Sequence, residues 1–303
     1  MVDERVRRNR RRVAFETLCG FCLLALLALP PQSRAQEKSF LWKVGSAENS
    51  IHILGSIHFL KRENYPLKKS IEEAFAGAKK VVLEIDLKAV TGERAQQVML
   101  DKALYRDGTT LRQNIAAETY SSAEQRAHSL GIDLRAMSPF KPWFAALTMT
   151  SLKLQKLGFD SNYGVDRYLA ERAKESDKAT GGLETLEFQI GLMDQLSRRD
   201  QEMMLREALR ELDLLDKGVE RIVRSWLAGD VKALDEVLLA GMREYPEVHQ
   251  KLIVERNRRW VPQIDQMIRQ GENVLVVVGA AHLVGKDGII ELLRARGYSV
   301  EQM

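Results

Sequence analysis

From residue 40 onward the apolar positions fall into short runs and helical stripes that alternate along the chain. Phe40 to Gly45 and Ile51 to Ile57 are β-type runs parted by Ser46-Ala47-Glu48-Asn49-Ser50, the pattern of a hairpin with a polar turn. Pro66 to Ala78 carries Leu67, Ile71, Ala74, Phe75 and Ala78 at helical spacing. Lys80 to Ile85 reads as a compact strand with an acid near its end. Thr91 to about Leu130 is helical with breaks at Gly108 and near Ser121, and Leu134 to Met137 reads as a short strand. Pro142 to Leu157 and Val165 to Ser176 are helices, and Thr180 to Glu184 is a strand that ends in an acid. The chain is then almost continuously helical from Thr185 to Gln270, with breaks near Ser197, Gly218, Gly229 and Pro246. Asn273 to Val278 is the clearest buried strand, and a helix over Lys286 to Arg296 and a strand over Tyr298 to Glu301 close the chain. Strands alternating with helices predict an α/β class leaning toward α+β. In this reading a mixed β-sheet is flanked by helices, and residues 186–270 form a helical insertion that covers the strand ends.

The first 35 residues have a different character. Arginines crowd Arg5 to Arg12, an apolar run follows over Leu18 to Leu29, and Ser33-Arg34-Ala35 offers small residues at a cleavage site. These are the parts of a secretory signal peptide over residues 1–35, leaving 36–303 as one domain. The apolar core of about 12 residues spans roughly 18 Å as a helix, short of a bilayer's ~30 Å core, although an uncleaved inner-membrane anchor is the alternative. The expected location is therefore periplasmic or secreted. Both cysteines, Cys19 and Cys22, lie in this leader, so the mature chain has no disulfide, thiolate nucleophile or cysteine-bound zinc.

The leader also changes the charge balance. The chain holds 46 basic and 42 acidic residues, a formal charge of +4. Seven arginines against three acids lie within the leader, so the rest is formally neutral. A neutral body without a basic stripe excludes a nucleic-acid partner. What remains is a peptide or small-molecule substrate, with the oligomeric state left open.

Candidate chemistry gathers where the strands end, which is where open α/β sheets bind ligands. His58, Glu84, Glu184 and His282 each fall at or just past a predicted strand's carboxyl end. Two of the five histidines share a Gly-x-x-His motif, Gly55-Ser56-Ile57-His58 and Gly279-Ala280-Ala281-His282, where chance gives roughly 0.3 matches. The glycines are expected to let the backbone turn sharply, bringing each histidine over its strand end. Two imidazoles and two carboxylates suit a divalent metal cation such as zinc, manganese, iron or cobalt, with an open position for an activated water. Each residue also has a plainer role open to it, Glu184 for example as an acid at the start of the next helix. His52 either reaches the site or packs, while His128 and His249 are expected to face solvent. Ser56, Ser138 and Ser161 lack a nucleophile-elbow context, and no phosphate-binding glycine signature is present.

The chain resembles the TraB/GumN family, which is related to the Tiki metalloproteases and to erythromycin-esterase-like and ChaN-like proteins. The matching pieces are Leu41-Trp42-Lys43-Val44, Ile53 to His58, Leu83-Glu84, Tyr163-Gly164-Val165-Asp166, Gly182 to Thr185, Arg256-Asn257 and Gly279 to Leu283. They occur in the family's order across about residues 39 to 303. The resemblance implies a divalent-metal hydrolase site built on His58 and His282, with Glu84 and Glu184 as acidic members. It also implies a polar helper role for Arg256, here read as steadying an oxyanion, and a lesser one for Asn257. The reading that follows is a metal-dependent hydrolase of peptide or amide bonds acting outside the cytoplasm. Two alternatives stay open: a non-catalytic protein that sequesters a peptide signal, haem or metal, and a metal-independent esterase with His58 as base.

Overall fold

A computed structural model describes residues 38–303, apart from 46–48, 89, 91 and 244. The leader lies outside the described residues, as do Ser46, Ala47 and Glu48 of the expected turn. Six strands form one mixed sheet: β1 (Leu41–Gly45), β2 (Ser50–Ser56), β3 (Lys80–Ile85), β4 (Ala179–Glu184), β5 (Val274–Gly279) and β6 (Ser299–Gln302). Their order is β4-β3-β5-β2-β1-β6. β1 pairs antiparallel with β2 and β6, while β2, β5, β3 and β4 run parallel. The carboxyl ends of these four strands therefore share one edge of the sheet, the edge where α/β sheets place their ligands. Helices flank the sheet, and the fold is α/β.

Burial explains the central strand. Val274 to Val278 are at most 1% exposed, because β5 lies between β2 and β3 with both faces covered. A strand covered on both faces reads as an unbroken apolar run. Each such side chain contributes about 1.5–3 kcal/mol by leaving water. The helix Leu215–Ala228 packs Val219, Val223 and Trp226 into the same core. The Trp226 Nε1–H also donates to the Gly55 carbonyl at 2.6 Å, tying that helix to the end of β2.

The long helical stretch after β4 does not pack as one unit. Leu205, Leu209 and Leu212 join Leu111, Ala123, Ala127, Leu134 and Met149 in a second core away from the sheet. Val219, Trp226, Trp260, Ile264 and Ile268 belong instead to the sheet's own core. Other elements differ from the sequence reading for local reasons. Leu134–Met137 is a 3-10 turn, capped by the Asp133 carboxylate accepting from the Arg135 N–H, and its apolar ends bury in the second core. The helix Ala117–Ser129 runs through Ser121 without a break. Gly218 sits inside a continuous helix where an added Cβ meets nothing within 4 Å, and the chain breaks just before it instead. Among the described residues, no helix is long and apolar enough to cross a membrane.

Candidate functional site

At the shared strand edge, two glycines do different work. Neither adopts the left-handed backbone that a sharp turn would need; each provides space instead. A Cβ at Gly55 would fall 2.3 Å from the Phe40 ring. At Gly279, the last residue of β5, it would lie 3.2 Å from Glu84 Oε1, 3.6 Å from His58 Nε2 and 3.7 Å from His282 Cδ2. The open side of Gly279 is thus the point on which three of the four expected side chains close.

The fourth, Glu184, arrives through Arg256. A π-helical turn at Gln250–Val254 leads into the helix Glu255–Arg269, whose first residues carry Arg256 and Asn257 inward. Such turns occur often at functional sites. Arg256 Nη2 donates to Glu84 Oε2 at 2.6 Å and to Glu184 Oε1 at 2.8 Å. Nη1 donates to the Leu252 carbonyl and to His282 Nε2, and Nε donates to Glu184. All five guanidinium N–H groups are thereby engaged. Trp260 supports the group from one side, its ring 4.5 Å from the guanidinium and from the His282 ring, with Nε1–H donating to Glu184 Oε2. Thr185 caps the helix Leu186–Asp194, which aims Gln189 back at Glu84 and Glu184.

This arrangement sets the protonation states. A guanidinium only donates, so His282 Nε2 accepts and its proton sits on Nδ1, facing Asn257 Oδ1 at 2.7 Å. Desolvation, aided by the nearby positive charge of Arg256, lowers His282 to about 3 and keeps it neutral. For Glu84, desolvation would raise the carboxyl. The positive charge of Arg256 and of the His58 ring, with the Gly279 N–H at 2.7 Å, overcomes it and holds Glu84 at about 2. Glu184 is raised by desolvation in spite of Arg256.

His58 is held from elsewhere. Gly164 lets the chain pass against the His58 backbone, since a Cβ there would lie 2.5 Å from the His58 carbonyl oxygen. The Val165 N–H donates to the Ile57 carbonyl, and Asp166 in the first turn of the helix Val165–Glu175 meets His58 Nδ1 at 3.0 Å. Desolvation opposes the charged ring, but the charge and hydrogen bond of Asp166, with Glu84 behind, raise it to about 9. Its Nε2 is left for the cleft, a cavity of about 720 Å³ lined by Ser56, His58, Glu84, Asp166 and Gln189, with apolar walls at Phe59, Leu83 and Leu87.

The described chain matches the TraB/PrgY/gumN family over residues 40–302. It belongs to that family. An uncharacterized protein of Treponema pallidum (strain Nichols) is 24% identical over 94% of this chain and 91% of its own length. The uncharacterized protein YbaP of Escherichia coli (strain K12) is 24% identical over 80% of the chain and 87% of its own. The metalloprotease TIKI2 of Danio rerio is 22% identical over 89% of the chain, which spans 62% of that longer protein. No solved structure matches the chain.

The name of that last relative raises the metal directly. Among the described residues, no group of three or more His, Cys, Asp or Glu side chains is disposed to hold a metal ion. The reason is Arg256, which supplies a fixed positive charge where a cation was expected and occupies His282 Nε2, Glu184 and one oxygen of Glu84. His58 Nε2 and Glu84 Oε1 remain, fewer than the three protein ligands usual in catalytic zinc sites. The residues as placed do not fit a resident divalent ion. Nor does Arg256 keep an N–H for an oxyanion, so it positions the carboxylates and His282 rather than meeting substrate. His52 lies earlier in β2, opposite Lys43, and His128 is exposed while His249 is half-buried. Three contributors had no role in the sequence reading: Asp166, Gln189 and Trp260. Of these only Asp166 stood in a flagged motif, Tyr163 to Asp166.

Proposed function

We propose that the chain is a hydrolase of peptide or amide bonds, working outside the cytoplasm, with His58 and Glu84 as its proton-transferring pair. One observation carries this reading: His58 Nε2 and Glu84 Oε1 face the same open point beside Gly279, at the wall of a cavity able to seat a substrate. The two groups sit on opposite sides of neutral pH, His58 raised to about 9 and Glu84 lowered to about 2. Divergent values of this kind assign an acid and a base. Glu84 Oε1 accepts the hydrogen bond of a water and takes its proton as the water oxygen bonds to the carbonyl carbon. His58, charged and held by Asp166, gives its proton to the nitrogen as the carbon–nitrogen bond breaks. Return of the Glu84 proton to His58 closes the cycle. The relation to proteins named metalloproteases supports the bond class, and the leader supports the location.

Turnover of fluorogenic peptide amides by the purified mature chain tests the reading. Loss of at least about 100-fold in His58→Gln and in Glu84→Gln, with both variants folded, is expected of a working acid–base pair. Tight peptide binding with no turnover would favour a sequestering protein instead. For the location, exported protein is expected to begin at Gln36; recovery of intact Met1 in a membrane fraction would favour the anchor.

A further inference from the structure

Ser56 closes β2 and is 2% exposed, yet its Oγ has no hydrogen-bond partner. Buried hydroxyls nearly always find a partner, so an orphan in a cavity wall marks a place kept for something that enters. Ser56 lines the same cavity as His58 and Glu84. Its partner in the parallel register is Gly279. Register partners project to the same face of a sheet, with neighbouring strands about 4.8 Å apart. The Ser56 hydroxyl therefore lies on the face where the open side of Gly279 meets Glu84 Oε1, His58 Nε2 and His282 Cδ2. The neighbouring wall is apolar, formed by Leu83 and Val277, so nothing there competes for the hydroxyl proton.

Resting on the hydrolase reading, we propose that Ser56 Oγ–H is the donor that binds the substrate's carbonyl oxygen and stabilises the negative charge it gains when water adds. No base lies within hydrogen-bond distance of Oγ, which assigns it a donor's part and not a nucleophile's. The assignment also supplies what Arg256 cannot, since every N–H of that guanidinium is already bound. A donor of this kind acts in the transition state far more than in the ground state, so its removal falls on kcat.

The test compares Ser56→Ala, Ser56→Thr and wild type on one peptide amide, with a phosphonamidate peptide as mimic of the tetrahedral state. For Ser56→Ala, kcat is expected to fall about 100-fold or more, with KM within about twofold and an unchanged melting temperature. Binding of the phosphonamidate weakens by a similar factor while binding of an uncleavable ground-state peptide does not. Ser56→Thr, which keeps the hydroxyl, retains most of the activity. A Ser56→Ala kcat within about threefold of an active wild type overturns the assignment and leaves the hydrolase reading standing. So does an equal loss of affinity for both ligands, which marks a packing role. Absence of wild-type turnover overturns the hydrolase reading, and this assignment with it.

Discussion

Replacing Arg256 by Met tests the hub of the site. The guanidinium, Glu84 and Glu184 side chains are 9%, 12% and 5% exposed, so water cannot take over its bonds. The substitution keeps much of the aliphatic packing against Trp260 but leaves two buried carboxylates with only uncharged donors, the Gln189 amide to both, the Gly279 N–H to Glu84 and the Trp260 N–H to Glu184. Removing one partner of a buried ion pair costs about 3–5 kcal/mol, and two stranded acids place this variant toward the upper end. At about 2–4 °C per kcal/mol for a domain of this size, the melting temperature falls by roughly 10–15 °C at pH 7. The pH dependence has a definite sign. In wild type the depressed Glu84 contributes stability that is present above its ordinary value of 4.5 and lost as the pH falls through about 2. In the variant, desolvation and the neighbouring Glu184 charge push Glu84 upward, so the variant regains stability as acid neutralises it. Thermal unfolding followed by circular dichroism between pH 4 and 8 should therefore show the gap narrowing toward acid. Adding Glu184→Gln to Arg256→Met should restore part of the loss at pH 7. A gap below about 1 kcal/mol at pH 7, or one that does not narrow in acid, would refute the role of Arg256 as the site's fixed charge.

Nuclear magnetic resonance should show His58 titrating near pH 9, and Asp166→Asn should bring it down toward or below its ordinary 6.5. Since His58 is raised, its stabilisation is complete below 6.5 and lost as pH rises through 9; with the ring 57% exposed, the effect on stability is small. The two motif glycines should separate: Gly55→Ala, driven into the Phe40 ring, lowers stability by about 1–3 kcal/mol, whereas Gly279→Ala keeps the fold and abolishes turnover. Elemental analysis of protein purified without chelator should find well under one divalent ion per chain. One tightly held ion would show that Arg256 gives up His282.

Much of the sheet was legible because short apolar runs rich in β-branched residues, such as Val274 to Val278, suit a strand covered on both faces. Its parallel topology then brings His58, Glu84, Glu184 and His282 to one edge. What those side chains touch was not legible. Asp166 lies 108 residues from His58 and Arg256 lies 172 from Glu84, and no local pattern records either bond. The inward turn of Arg256 depends on a π-helical stretch that looks like ordinary helix in sequence. The motif glycines were visible, but their purpose was space and not bending, which only the neighbours Phe40 and Glu84 reveal. The packing of the helical stretch after β4 was equally hidden, because its leucines at helical spacing do not say which of two cores they enter.

The most direct measurement is digestion of a defined peptide mixture in H₂¹⁸O, read by mass spectrometry. Wild type, His58→Gln and Glu84→Gln would be run in parallel, each with and without added divalent ions. Cleaved peptides carrying ¹⁸O in their new carboxylates, formed by wild type and reduced at least about 100-fold in both variants, are the expected result. Peptides left intact by wild type under every condition, or labelled equally by all three proteins, would contradict the assignment of this cleft as a hydrolase site.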